Sequence, residues 1–132
     1  MSELGRQRHR SRERALELAY EASSKSRSLV AVIAEQPIAP DPYSVAILDS
    51  VERHRSEIEQ LIEEAALEWT LERLAVIDRL VMTLALGELM MDGAPPSAVV
   101  LDEAVELAKT FSTESSGSFV NGVLNTCVGH LK

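Results

Sequence analysis

The apolar side chains of this 132-residue chain recur every three or four positions along almost every segment. In an α-helix that spacing places them on one face, which can then pack against a neighbouring helix. One such series is Val100, Ala104, Leu107, Ala108 and Phe111. No segment shows the strict alternation of apolar and polar residues that is typical of a β-strand. The pattern therefore predicts an all-α protein with about six to seven helices.

Residues that break or cap helices separate these segments from one another. The predicted helices cover about 10–27, 29–36, 43–69 and 72–91, followed by one that ends near Phe111 and a last one that carries Val120 to Leu131. Pro37, Pro40 and Pro42 form the clearest internal break, because proline lacks the amide hydrogen and clashes with the preceding turn. The 72–91 segment is apolar nearly all round, so we expect it at the centre of the fold.

The domain organisation follows from these segments. We expect one domain over residues 1–132, with an N-terminal helical half at about 10–69 and a C-terminal half at about 72–132. Apolar residues make up 45% of the chain, which is enough to form a buried core. No apolar run approaches the roughly 20 residues that span a membrane. The single cysteine, Cys127, cannot form an internal disulfide, and both facts favour a cytoplasmic protein.

The charges are unevenly distributed along the chain. The formal net charge is −8, which by itself argues against binding to a polyanion. However, residues 1–14 carry five arginines and two acids, whereas residues 35–72 carry ten acids and two arginines. A basic end on an acidic body indicates a nucleic-acid-binding end and a separate solvated or partner-facing surface.

The basic end contains the sequence RQRHRSRER, residues 6–14. Arginine presents a planar fork of donors that matches phosphate and can stack on bases, so this segment is a candidate for RNA binding. Because alternate arginines do not share one helical face, we expect part of the segment to be extended and residues 1–9 to form a flexible arm. A merely solubilising tail is an equally good interpretation of the segment taken alone.

No residue pattern indicates catalysis, a metal or a cofactor. The three histidines His9, His54 and His130 are far apart, and Cys127 has no second cysteine with which to bind zinc. Cys127 lies on an apolar helical face, where a thiol stays protonated and inert. The glutamates between 57 and 68 have the spacing of a solvated helix face. We therefore expect no enzyme activity.

The last helix contains two further candidates. Gly122 lies within an apolar helical pattern, and a glycine there costs about 1 kcal/mol relative to alanine. We expect this residue and Asn121 to mark a close crossing with another helix. Phe119 lies beside a serine-rich loop, where a partly exposed ring could stack on a base.

Four stretches together resemble the NusB family. They are Asp102–Phe111, Phe119–Leu124, Arg73–Leu89 and the arginine-led first helix Arg12–Tyr20. The resemblance implies an all-α fold of two small helical bundles packed across each other. It also implies a transcription antitermination factor that binds boxA RNA of ribosomal RNA leader transcripts together with NusE, a small-subunit ribosomal protein. The pair would act with RNA polymerase, NusA and NusG.

The resemblance also implies roles for particular residues. The RNA-binding positions that it implies are Arg6, Arg8, Arg10, Arg12, Arg79, Ser115, Ser118 and Phe119. The positions that it places at the NusE-facing surface are Tyr20, Asp78 and Glu88. Some relatives carry an acid and a lysine where this chain has Ser115 and Ser118. Loss of the lysine weakens attraction for phosphate, and loss of the acid removes repulsion.

The alternative function is a helical interaction module or homodimeric adaptor that does not bind RNA. Self-association into a homodimer is also compatible with RNA binding if it masks the site. Replacing Arg8, Arg10 and Arg12 with alanine is expected to lower RNA affinity while leaving thermal stability nearly unaltered.

Overall fold

The computed structural model describes residues 2–66 and 74–131, and every regular element in these ranges is an α-helix. This confirms the all-α fold. The helices are α1 (Glu3–Lys25), α2 (Leu29–Ala34), α3 (Pro42–Arg53), α4 (Arg55–Ala66), α5 (Val76–Leu89), α6 (Ser97–Phe111) and α7 (Ser116–His130). None of them is long and apolar enough to cross a membrane.

Helix α1 includes the arginine-rich segment, so the expected extended conformation there is wrong. The Ser2 side chain caps the helix by accepting a hydrogen bond from the Gly5 amide at 2.9 Å. The helix ends at Ser26, whose φ of 53° is left-handed and whose amide bonds back to the last turn. A cap at each end thus defines one helix that contains all five arginines of residues 1–14.

The helix predicted over 43–69 is two helices, because the chain breaks at His54 between α3 and α4. The break allows α3 to pack on α1 and α5, while α4 turns to pack on α7. The apolar side chains of one continuous helical pattern therefore pack against two different sets of helices. The periodicity shows that these side chains are buried but not which helices they contact. Trp69, at the predicted end of this helix, lies outside the described residues.

Helix α5 is the central helix, as the sequence predicts. Every residue from Leu80 to Glu88 is buried, and the helix contacts α1, α3, α4, α6 and α7. Helices α1, α2 and α3 pack together on one side of it, and α4, α6 and α7 on the other. The first part of the predicted helix, 72–73, lies outside the described residues.

The close helix crossing occurs at Gly87 and not at Gly122. A Cβ atom on Gly87 would lie 2.5 Å from Val51 Cγ2 and 3.3 Å from the Ile47 carbonyl oxygen. Only glycine allows α3 and α5 to approach this closely, and the Ser50 hydroxyl donates to the Gly87 carbonyl across the contact. A Cβ on Gly122 would meet nothing within 4 Å, and Asn121 is exposed, so the crossing expected there is wrong.

Candidate nucleic-acid and partner interface

Helix α1 sorts its alternating arginines into two sets. Arg6, Arg10 and Arg14 are spaced by four residues and form one stripe, which we call the arginine stripe. Arg6 and Arg10 are exposed and share Glu3, to which Arg6 donates at 2.9 Å and from which Arg10 lies 3.9 Å away. Arg14 is half-buried, and its guanidinium lies 3.7 Å from Glu17. The arginine stripe is thus a surface of positive charge at one end of the molecule. Arg14 was not among the RNA-binding residues expected from the sequence, although its four-residue spacing from Arg10 places it on the same face of the helix.

Arg8 and Arg12 lie on the inner side of α1. The Arg8 guanidinium stacks over the Tyr43 ring, 3.9 Å from its centroid. Arg12 donates two hydrogen bonds to Glu88, at 2.8 and 2.7 Å, and the two side chains are only 7% and 2% exposed. The Tyr43 hydroxyl donates to the same carboxylate. A cation–carboxylate–phenol cluster therefore holds α1, α3 and α5 together.

The buried cluster shifts the ionisation of its members. Burial acts against the Arg12 charge, but the hydrogen bond and charge of Glu88 outweigh it and raise the Arg12 pKa. Burial, and then the Glu88 carboxylate, raise the pKa of Tyr43 to about 12. Arg12 thus stays charged and Tyr43 stays protonated at neutral pH. The cluster is a buried, fully bonded ion pair rather than an open binding site.

These positions bear on two expectations from the sequence. Arg12 was expected to contact RNA and Glu88 a partner, yet each binds the other and is buried in the described structure. A second carboxylate, that of Glu103 in α6, lies 3.7 Å from the Arg12 guanidinium. It also accepts a hydrogen bond from the His9 ring at 2.8 Å. Arg12 and Glu88 are both bonded within the fold, and an alanine at Arg12 would disturb the core. The expectation that the triple alanine variant keeps its stability therefore loses its basis.

A second cluster surrounds Asp78 in the first turn of α5. Its side chain is 7% exposed, and one carboxylate oxygen accepts from the Ser116 hydroxyl at 3.1 Å. The other oxygen, Oδ1, has no hydrogen-bond partner among the described residues. It lies beside a cleft of about 420 Å³, which we call the hydroxyl cleft. The lining residues are Leu74, Ala75, Asp78, Ser112, Thr113, Ser115, Ser116 and Phe119.

An unpartnered buried carboxylate oxygen indicates a missing donor. Leaving such a group unbonded costs about 1–3 kcal/mol, and more when it is charged. Among the predicted residues, Ser115 and Phe119 line the hydroxyl cleft together with Asp78. Ser118 lines a different cleft, between α6 and α7, beside Lys109. The structure thus brings three predicted residues together and separates the fourth.

The arginine stripe and the hydroxyl cleft are separate sites. Asp78 lies ten residues before Glu88 in α5, which corresponds to about 15 Å along the helix axis. Glu88 is the residue that binds Arg12 of α1, so Asp78 is about that far from the arginine-bearing end of the molecule. Arg79 lies near the other end of α1, where its guanidinium donates to the Ser23 hydroxyl at 3.5 Å and lines a third cleft with Arg27 and Arg55. Tyr20 is 47% exposed on α1.

The cysteine and the potential metal ligands of the described residues form no reactive site. Cys127 is fully buried, and burial raises its pKa to about 11, so the thiol is protonated and inert at neutral pH. Across residues 2–66 and 74–131, no three His, Cys, Asp or Glu side chains are grouped so that they could hold a metal ion.

An exposed arginine stripe and a buried carboxylate cleft on an all-helical body define a small helical binding protein. A sequence model of the NusB family matches residues 9–128. The chain belongs to the NusB family.

Similar proteins agree with this assignment. The transcription antitermination protein NusB of Acidothermus cellulolyticus is 40% identical over 121 residues, which cover 89% of this chain and 83% of that protein. The solved structure of T. maritima NusB matches with a TM-score of 0.79 and 31% identity, over 91% of this chain and 89% of that one. A crystal structure of the antitermination factors NusB and NusE in complex with dsRNA matches with a TM-score of 0.76 and 26% identity, over 92% of this chain and 96% of that one. The family is not an enzyme family.

Proposed function

We propose that this protein is a cytoplasmic transcription antitermination factor that binds boxA-type leader RNA together with NusE. The observation that carries the proposal is the arginine stripe at one end of an acidic NusB-family protein, in which Arg6 and Arg10 are exposed and Arg14 is half-buried. Guanidinium groups neutralise phosphates and release counterions, so the stripe attracts RNA although the whole chain carries −8. The RNA-bound pair would then act on RNA polymerase with NusA and NusG.

The RNA residues in this proposal are those that the resemblance implied, without Arg12, which is bonded to Glu88, and Arg79, which lines another cleft. Arg6 and Arg10 contact phosphates directly, and Arg8 contributes through its stack on Tyr43. Phe119 and Ser115, at the rim of the hydroxyl cleft, contact bases farther along the strand. Ser118 contacts RNA less directly, because it lines another cleft.

The partner site in this proposal is Asp78 with Tyr20. The unpartnered Asp78 oxygen needs a donor, and a basic side chain of NusE supplies both a donor and an opposite charge. Tyr20 offers a half-exposed aromatic ring with a polar tip, which is common at protein interfaces. Glu88 acts only from within, by keeping α1 on α5.

The test is an affinity measurement with a boxA oligonucleotide and a scrambled control, with and without purified NusE. We expect the boxA sequence to bind more tightly than the scrambled one, and NusE to increase that preference. A helical adaptor without an RNA role would show no preference in either condition, and this result would refute the proposal. Mass measurement in solution on the same samples reports any homodimer.

The partner site is tested separately with Asp78→Asn. The amide keeps the size and one oxygen but removes the charge, so NusE affinity is expected to fall about tenfold or more. Affinity of the chain alone for RNA should not fall, because the substitution removes a negative charge from a cleft whose rim contacts the RNA in this proposal. Asp92→Asn removes one charge from an exposed position and is the matched control. Equal losses in the two variants would show that Asp78 has no special role.

A further inference from the structure

A large cleft lies beside the arginine stripe, between the first half of α1 and the segment that leads into α3. Its volume is about 910 Å³, at the upper end of the roughly 300–1,000 Å³ found for small-molecule sites. Arg8, Arg10 and Arg14 form its cationic wall. The opposite wall includes residues 38–41. These belong to the segment 36–41, which we call the proline arch because it contains Pro37 and Pro40.

The proline arch is fixed to α1 at both ends. At one end, Arg14 donates to the Gln36 side-chain oxygen at 2.9 Å. At the other, the Ser11 hydroxyl donates to Asp41 at 2.6 Å. The middle of the arch has no such tie in the described hydrogen bonds, but its ends hold the cleft open. The cleft is therefore preformed, which lowers the ordering cost of binding a ligand.

The cleft combines exposed apolar surface with positive charge. Ile38, at the crest of the arch, is 81% exposed, and Leu4, on the facing helix, is 57% exposed. Both line the cleft beside the arginines. Its one carboxylate, Asp41, is already bonded to Ser11 and Ser44, and these hydrogen bonds outweigh burial and lower its pKa. The ligand that fits has an anionic part and flat apolar faces.

An unpaired nucleotide has this chemistry. Its phosphate suits Arg10 and Arg14, and its base suits both an aliphatic side chain and the guanidinium of Arg8, which the Tyr43 ring supports from below. The carboxylates of an acidic peptide would pair with the arginines but would leave the apolar side chains of Ile38 and Leu4 without a contact. Charge and shape together therefore favour RNA over a protein segment.

We propose that the cleft between α1 and the proline arch seats one unpaired base of the bound RNA, packed against Ile38 and the Arg8–Tyr43 stack. This inference rests on the proposed RNA-binding function and adds a base-contacting site to it. It assigns Ile38, Arg14 and Tyr43 to RNA recognition. The phosphates on either side of that base would lie along the arginine stripe.

The test combines Ile38→Ser with a series of boxA oligonucleotides, each lacking the base at one position. Ile38→Ser removes the apolar contact with the base, so it is expected to weaken binding of intact boxA by about tenfold. One abasic position should weaken binding to the parent and abolish the difference between parent and variant. Such coupling identifies the base that contacts Ile38.

Val30→Ser is the matched control, because Val30 is 69% exposed on α2 and does not line the cleft. It should bind as the parent does. The cleft proposal is overturned if Ile38→Ser binds intact boxA normally, or if its loss is the same for every abasic oligonucleotide. It is also overturned if NusE affinity falls and RNA affinity does not, since the cleft would then hold the partner.

The same assay separates this inference from the function on which it rests. If the parent shows no preference for boxA over scrambled RNA, both proposals fail. If the parent has that preference and Ile38→Ser keeps it at full affinity, only the base site is wrong. Because Ile38 is exposed, we expect its variant to fold, and equal thermal transitions of parent and variant check this.

Discussion

Arginines of one sequence motif have opposite roles in this protein, depending on the side of α1 that each occupies. Arg10 is exposed and pairs only with the exposed Glu3 among the ion pairs of the described residues, whereas Arg12, two positions later, is buried in a bidentate pair with Glu88. A buried ion pair adds little net stability compared with apolar residues, but removal of one partner leaves an uncompensated charge. Substitution of Arg12 therefore tests the stability of the fold, whereas substitution of Arg10 tests RNA binding.

Arg12→Ala is expected to lower the free energy of unfolding by about 3–5 kcal/mol, because Glu88 stays buried without its cation. Arg10→Ala, at an exposed position, should change it by no more than about 1 kcal/mol. Urea denaturation of the two variants beside the parent measures both values. Replacing both members of the pair, as Arg12→Met with Glu88→Leu, should recover most of the loss. Equal stability of the two single variants would contradict a structural role for Arg12.

Asp41 gives the protein a defined acid sensitivity. Burial alone would raise the pKa of Asp41, but hydrogen bonds from Ser11 and Ser44 lower it below the ordinary value of 3.8. The folded carboxylate thus stays ionised where the unfolded one already binds a proton. Its stabilising contribution is complete above that ordinary value and disappears as the pH falls through the folded pKa.

Asp41→Asn tests this effect. The parent is expected to be more stable than the variant at pH ~7, and the difference should shrink as the pH is lowered from about 5 to about 2.5. Urea unfolding at a series of pH values measures the difference. A difference that does not depend on pH would show that the Asp41 charge plays no part.

At the scale of elements, one close helix contact decides the geometry of the core. Helix α5 approaches α3 at Gly87, where a methyl group would meet Val51 at 2.5 Å. Helix α7 presents Gly122 to open space instead. Gly87 is therefore required by helix packing, whereas Gly122 is not. Substitution by alanine should have opposite effects on stability at the two positions.

Gly87→Ala is expected to destabilise the protein by about 1–3 kcal/mol through overpacking. Gly122→Ala should stabilise it by up to about 1 kcal/mol, because alanine is the better helix former and nothing obstructs its methyl group. Thermal or urea unfolding of both variants gives the two signs directly. A stabilising Gly87→Ala would mean that α3 and α5 can separate at little cost.

At the scale of the whole molecule, the distribution of charge matters more than its sum. The formal charge of −8 repels RNA at long range, whereas the arginine stripe attracts it at one end. Affinity for RNA should therefore depend on where cations are removed and not only on how many are removed.

Arg6→Gln with Arg10→Gln tests this point. Each phosphate contact to single-stranded RNA contributes about 0.7 to the slope of log affinity against log salt concentration, so the slope should flatten by about 1.4. Arg53→Gln with Arg55→Gln is the matched control, since it also changes the net charge from −8 to −10 at exposed positions. If both pairs flatten the slope equally, total charge and not the stripe governs binding.

The sequence predicted the helical class and the central position of α5, and both are confirmed. The NusB resemblance is confirmed as well. These properties depend on local periodicity and on motifs of adjacent residues, which are visible in one dimension. The break at His54 was not predicted, since a continuous apolar stripe does not show which neighbours it serves.

Only the tertiary structure decided which motif residues are available for binding. The partner of Arg12 is 76 positions away, so nothing near the arginine motif indicates that this guanidinium is buried. The unpartnered Asp78 oxygen and the cleft beside the proline arch likewise arise where distant segments meet. The sequence by itself determined that cations are concentrated at the amino end, and the packing of α1 on α3, α5 and α6 determined which of them face outward. The physical reason is that composition and periodicity are local, whereas burial depends on contacts between segments far apart in the chain.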